Sequence, residues 1–259
     1  MDYQSIADFL SNNLRLRTLP VAVRFLKGAE APEKARRPSK VMGKKITLCQ
    51  AVTLARSYGW TMAIAREDLQ CVPALIAFGL APVADQRKAL GRLLAKMSYA
   101  KDDLAGACET NSLQLLPSGA YDTVVIGPLA KTVTCPDCVA LYGNPAQMAR
   151  LSQAWTYSCG SRVPSNVGGK VECTEYLIAP GKTQGARITI PGIGDRIFSM
   201  TQDDEMVFSL PGDKLEMLIK GLEEAGRRVG ARYPITFYQN FQPDFPSSHR
   251  ELAKEEGID

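Results

Sequence analysis

Seven cysteines and a single histidine bound the chemistry open to this 259-residue chain. A histidine base, a Ser–His pair or a histidine-rich zinc site would each need His249, which lies in the tail segment PDFPSSHRELAKEEGID. A core site is not expected to depend on that tail, so any metal would be held mainly by cysteine. An odd number of cysteines, with no secretory signal in MDYQSIADFL, argues against a disulfide framework. Cys49 follows Thr47, which with Gln50 forms a capping-box pattern. That would set Cys49 in the first turn of a helix, where unsatisfied N–H groups and the helix dipole favour a thiolate. The basic run EKARRPSKVMGKK, from Glu33 to Lys45, lies just upstream and could attract an anion. Cys49 is therefore expected to be a ligand or a nucleophile. Taken singly, Cys71 and Cys173 read as core thiols.

Cys135 and Cys138 form a C-x-x-C in TCPDC, which opens a thiol-redox reading. A redox pair usually starts a helix, whereas Cys138 leads into the strand-like VALYG. Cys108 or Cys159 could join this motif in a separate metal site, although the spacing gives little guide. Among the acids, Asp204 and Glu205 could serve as acid or base. Arg56, Arg66 and Arg196 could bind an anionic substrate or neutralise thiolates. GGK at Gly168–Lys170 lacks the rest of a phosphate loop, and PGIGDR reads as a tight turn.

These side chains must be positioned by a globular fold. The composition is 45% hydrophobic and 22% charged, and the net charge is +4. Neither a membrane span nor a nucleic-acid surface is expected, because no long apolar run and no basic–aromatic pattern occurs. The default location is the cytoplasm. Periodicity predicts helices over DYQSIADFLSNNLRL, from Thr47, over Asp85–Met97, over PAQMARLSQAWTYS and over Asp213–Val229. Strands are expected between Pro20 and Lys27, at Thr61–Ala65, and in YDTVVIGPLA, CVALYGN, KVECTEYLIAP, ARITIPG and DEMVFSLP.

A faint repeat links the two halves. Residues 17–82 and 121–211 each show a strand, a capped helix and a phrase led by cysteine, CVPALIAFGL or CTEYLIAPG. Asn144 and Gln147 repeat the capping box of Thr47 and Gln50. Duplication would give Cys71 and Cys173 equivalent places that can face each other between the halves. The expected architecture is one compact α+β domain over residues 1–259. Two pseudo-repeated strand–helix–strand halves would surround a mixed sheet, with a packing helix and tail over 212–259.

LPVAVRF, CQAVTLAR, CVPALIAFGL, YGNPAQMARL, ECTEYLIAP and DDEMVFSLP, in this order from Ala7 to Arg228, resemble landmarks of the domain-of-unknown-function 169 family. The resemblance implies a metal centre at Cys49, Cys71 and Cys173. It also implies a further cysteine in ITIPGIGDR, where this chain has none. Three dispersed thiolates suit neither a zinc knuckle nor a ferredoxin cysteine run. They could hold a cluster of the 4Fe–4S type at three corners, with zinc as the alternative. An iron left open would bind a small anionic molecule, in lyase, desulfidase or reductive chemistry, or the protein would serve a redox partner. Two other readings stay open: a non-catalytic binding or accessory module with structural cysteines, and a thiol-redox protein using Cys135 and Cys138.

Overall fold

The computed structural model describes residues 2–28, 31–229 and 245–258. In chain order the elements are α1 (Tyr3–Leu14), β1 (Val21–Leu26), α2 (Pro38–Val41), α3 (Leu48–Tyr58), β2 (Met62–Ala65), α4 (Val72–Ala77), α5 (Gln86–Lys96), α6 (Asp103–Ser112), β3 (Thr123–Pro128), β4 (Cys138–Gly143) and α7 (Pro145–Cys159). A π-helical turn (Thr174–Ile178) then runs into α8 (Ala179–Thr183), followed by β5 (Arg187–Thr189), α9 (Ile193–Phe198), β6 (Met206–Leu210), α10 (Leu215–Glu224) and α11 (Ser247–Glu255). Among the described residues no helix is long and apolar enough to cross a membrane.

The α+β class is as expected. Six strands form one sheet in the order β2-β3-β1-β4-β6-β5. Each pairing of these strands is antiparallel, whereas a mixed sheet was expected. Alternation along each strand sends side chains to two faces. On the first face, Val21, Val23, Met62, Ile64, Ile126, Ala140 and Tyr142 pack under α3, α4, α5 and the π-helical turn. On the second, Ala22, Val139, Leu141 and Phe208 pack under α1, α7 and α10. The C-terminal packing helix, expected over Asp213–Val229, is α10 and lies on the second face.

Both capping boxes form. Thr47 and Gln50 cap α3, and Asn144 and Gln147 cap α7, with Pro145 in its first turn. The repeat itself does not carry through. A two-fold axis normal to a sheet relates antiparallel neighbours such as β1 and β4 but leaves their helices on one face. Here α3 and α7 lie on opposite faces. Moreover, Cys71 follows β2, whereas Cys173 precedes β5. The expected strand in KVECTEYLIAP is helical throughout Thr174–Thr183. Short apolar runs do not distinguish a buried strand from a buried helix by pattern alone.

Candidate functional site

Cys49, Cys71 and Cys173 come together on the first face, but not through duplication. Each lies at the start of a helical segment. Cys49 is the second residue of α3, Cys71 is the N-cap of α4, and Cys173 is the N-cap of the π-helical turn. The leads into α3 and α4 are tied side by side. Ile46 N–H donates to the Asp68 carbonyl at 2.9 Å, and Gln70 N–H donates to the Ile46 carbonyl at 3.0 Å. Two and three residues further on, the parallel leads deliver Cys71 and Cys49. The Asp68 carboxylate, fully buried, secures this corner by accepting from Arg37, Ser39 and the Ala65 N–H.

Cys173 is set by a second clamp. The buried Glu172 carboxylate accepts from the N–H groups of Gly168 and Gly169, both at 2.6 Å, and from the Thr189 hydroxyl at 2.9 Å. Val171, just before it, adopts a left-handed backbone with φ of 57°. A β-branched residue is rarely found there, and such strain together with a π-helical turn is characteristic of functional sites. Ile193 N–H donates to the Gly169 carbonyl at 2.9 Å, which docks the start of α9 against the same loop. The approach at Gly192 is tight: an added Cβ would lie 3.0 Å from the Gly169 carbonyl oxygen and 3.1 Å from Glu172 Cγ, so the loop would have to give.

That docking brings in Asp195, a residue the sequence reading passed over. It is 2% exposed. Its Oδ1 accepts from the Tyr176 hydroxyl at 2.8 Å, and its Oδ2 accepts from the Gly192 N–H at 3.2 Å. The Cys49 thiol lies near the carboxyl group, and each affects the ionisation of the other. Next to it, α9 passes so close that a Cβ on Gly194 would touch Cys49 Sγ at 3.5 Å. The signal in the sequence was Gly192-x-x-Asp195, which reads as an N-cap followed by an acid in the first turn.

Electrostatics around these groups reverses one expectation. A lowered Cys49 pKa was expected from the helix start. Burial instead pushes the thiol well up, and the neighbouring Asp195, Cys173 and Cys71 add to the effect. Burial likewise raises Cys173, with Cys71, Asp195 and Glu172 adding to it, and raises Cys71. Burial lifts Asp195 too, against the opposing hydrogen bonds of Tyr176 and Cys49. Four acidic groups thus lie close together, and burial raises the pKa of each. Burial thus works against a thiolate at Cys49, opposite to the activation expected from the helix start.

Behind this corner, Arg56 and Glu205 form a buried bidentate pair at 2.6 and 3.0 Å, and Gln202 N–H also donates to Glu205 at 2.8 Å. The guanidinium stacks on Tyr142, 4.1 Å from the ring centroid, and Tyr142 packs edge-on against Tyr176. Glu205 and Arg56 are therefore coupled to the thiol corner through two tyrosines. Asp204 points to the surface and pairs with Arg17. Arg196 bonds the Gln202 carbonyl and pairs with Asp203 within its own loop. Arg66 is exposed in the turn before Cys71. Part of the basic run is structural, since Arg37 pairs with Glu67 and Asp68 and Arg36 stacks on Trp60. Lys40, Lys44 and Lys45 remain exposed.

The other cysteines lie elsewhere. Cys138 is fully buried on the first face, its thiol donating to the Tyr176 carbonyl, and burial raises its pKa far above the ordinary thiol range. Cys135 is exposed and has Tyr3, a residue of the second-face core, as a partner. Cys108 and Cys159 are exposed thiols on α6 and α7.

Residues 10–221 match the sequence pattern of the family described as Uncharacterised ArCR, domain of unknown function 169. The chain belongs to that family. An uncharacterised protein of Methanocaldococcus jannaschii, MJ0308, is 22% identical over 224 residues, covering 86% of this chain and 96% of its own. No solved structure matches the chain.

Whether the corner suits a metal depends on its donors. Three sulfurs and one carboxylate are soft and hard donors of the kinds that iron accepts. Among the described residues, no three Cys, His, Asp or Glu side chains are disposed to meet at a single metal ion.

Proposed function

We propose that this family member is a cytoplasmic iron–sulfur protein in which Cys49, Cys71 and Cys173 hold a cluster of the 4Fe–4S type. One observation carries the reading: three thiols far apart in sequence, each at the start of a helical segment, are brought into one corner beside the buried Asp195 carboxyl. When bound, such a cluster supplies a Lewis-acidic iron that three thiolates leave without a fourth sulfur. That chemistry suits a small anionic substrate in lyase, desulfidase or reductive reactions. The chain itself would hold the thiolates in place, exclude water with Tyr176 and Tyr142, and draw anions with Lys40, Lys44 and Lys45. An iron with an open position would favour substrate chemistry over simple electron transfer.

The test is anaerobic purification with iron and acid-labile sulfide analysis and a visible absorption spectrum. Stoichiometric iron and sulfide that fall in Cys49→Ala, Cys71→Ala and Cys173→Ala, but not in Cys135→Ala, would bear the proposal out. A colourless wild-type protein that takes up neither iron nor sulfide would end it. A thiol-redox role for Cys135 and Cys138 would have to join an exposed thiol to one that is fully buried and donates to the Tyr176 carbonyl.

A further inference from the structure

We propose that a second copy of this chain docks along α9, with the two α9 helices antiparallel about a two-fold axis. This goes beyond the iron–sulfur reading and stands or falls without it.

The observation behind it is a helix turned the wrong way round. An ordinary surface helix sends its apolar side inward and its polar side to water. On α9 the inward residues are polar. Asp195 is buried and accepts from the Tyr176 hydroxyl. Ser199, directly after the helix, is buried too, and its carbonyl accepts from the Thr53 hydroxyl at 2.5 Å. The outward residues are Ile193, Ile197 and Phe198, and the two isoleucines lie one turn apart on the same side. Met200 continues the row, its sulfur 3.9 Å from the hydroxyl of Tyr58 at the end of α3. All five side chains belong to residues between 40% and 64% exposed. Together they leave on the order of 600 Å² open, the upper end for the largest apolar patch of a monomer and most of the roughly 800 Å² that one side of a standard interface buries.

Charge selects the occupant. The helix runs beside α3 in the same direction, since Gly194 lies against Cys49, Ser199 against Thr53 and Met200 against Tyr58. The ridge therefore has two distinct ends. At its start lie the exposed Lys44 and Lys45, just ahead of α3, which take part in no ion pair among the described residues. Beyond its end lie the exposed Asp203 and Asp204, in surface pairs with Arg196 and Arg17. Surface pairs of this kind are weak and exchange readily. A two-fold axis through the middle of the ridge brings the lysine end of each protomer to the aspartate end of the other. An acidic partner protein or an anionic membrane would match the lysines and be repelled by the aspartates, whereas a second copy matches both ends. In this arrangement the Met200 end of the second copy lies beside Gly194, and hence near Cys49, so each protomer helps to wall the thiol corner of the other.

Sedimentation velocity on the full chain at micromolar concentration and low salt tests this, with circular dichroism to confirm folding. The proteins compared are wild type, Ile197→Asp, Lys45→Glu, Asp203→Lys and the Lys45→Glu/Asp203→Lys double variant. Wild type should be a dimer. Ile197→Asp, at an outward position, should be a folded monomer. Each single charge change sets like charges opposite each other twice, by symmetry, and should raise the dimer Kd roughly tenfold. The double variant restores opposite charges and should return to within about threefold of wild type. A monomeric wild type overturns the proposal; if that monomer co-sediments with vesicles of phosphatidylcholine and phosphatidylserine, the ridge is a membrane face instead. A dimer that survives Ile197→Asp overturns it as well, and a double variant that dimerises no better than the singles overturns the antiparallel pairing. Should Ile197→Asp not fold, the charge variants decide by the same comparison.

Discussion

Replacing Glu205 with glutamine should destabilise the fold severely, although the two side chains are nearly isosteric. Arg56 and Glu205 have side chains only 2% and 5% exposed, and both carboxylate oxygens are used by the guanidinium. Glutamine would turn an amide toward that guanidinium and leave its charge buried without compensation. Breaking such a pair from one side costs about 3–5 kcal/mol. For a domain of this size that corresponds to a fall in Tm of about 6–20 °C. The same rule predicts that Arg56→Met with Glu205→Leu together will be less damaging than either single change, since no charge is then stranded. Urea unfolding of the four proteins at pH 7 gives the coupling energy directly. A Glu205→Gln protein within about 1 kcal/mol of wild type, or a double variant whose loss equals the sum of the singles, would refute the buried-pair argument. The experiment also separates a structural role for Glu205 from the acid–base role that its place in the sequence suggested.

Other consequences can be measured independently. Burial pushes the Asp68 carboxyl up, but hydrogen bonds from Ser39, Arg37 and Ala65 together outweigh it and hold the group below the ordinary carboxylate range. Its folded pKa is below its unfolded one, so its contribution is present at neutral pH and is lost as pH falls through the folded value. Asp68→Asn should therefore cost about 1–3 kcal/mol at pH 7, with the gap to wild type narrowing below about pH 4 in urea titrations. On the second face, a Cβ at Gly221 would collide with the Ala154 carbonyl of α7. Gly221→Ala should thus lower stability by about 1–3 kcal/mol despite its better helix propensity, as thermal melting would reveal. Under the iron–sulfur reading, cluster binding would displace protons from the Cys49 and Cys173 thiols, whose pKa burial raises. Iron loading followed by absorbance should accordingly weaken as pH is lowered; loading independent of pH between 6 and 9 would contradict those raised values.

Much of the scaffold was legible because local signals agreed with one another. Thr47–Gln50 and Asn144–Gln147 announced two helix starts, and both boxes form. The β-branched run before Lys27 and the continuous apolar VALYG gave β1 and β4. CTEYLIAP was misread because its apolar residues carry no decisive period, and tertiary packing settled it as helix. The repeat was misread for a different reason. Matching phrases record resemblance along the chain, whereas the face of the sheet that a helix covers depends on its connections. The three cysteines were nominated by the family resemblance, and their juxtaposition came from the Ile46–Leu69 bridge and the Glu172 clamp, which no spacing encodes. Asp195 was hidden by its neighbour, since Arg196 drew the functional reading of PGIGDR to itself.

The spread of Cys49, Cys71, Cys173 and Asp195 along the chain has a kinetic consequence. Cys49 and Cys71 can be joined by local structure, but bringing Cys173 and Asp195 to them closes a loop of about a hundred residues, and such non-local contacts form late. A metal could not template this corner in a nascent chain, because most of its donors would still be absent or unaligned. Loading is therefore expected to follow folding, through whatever opening the partly exposed Cys49 and Cys71 leave. Under the iron–sulfur reading, the apo protein would then be an obligatory stage in the life of the molecule.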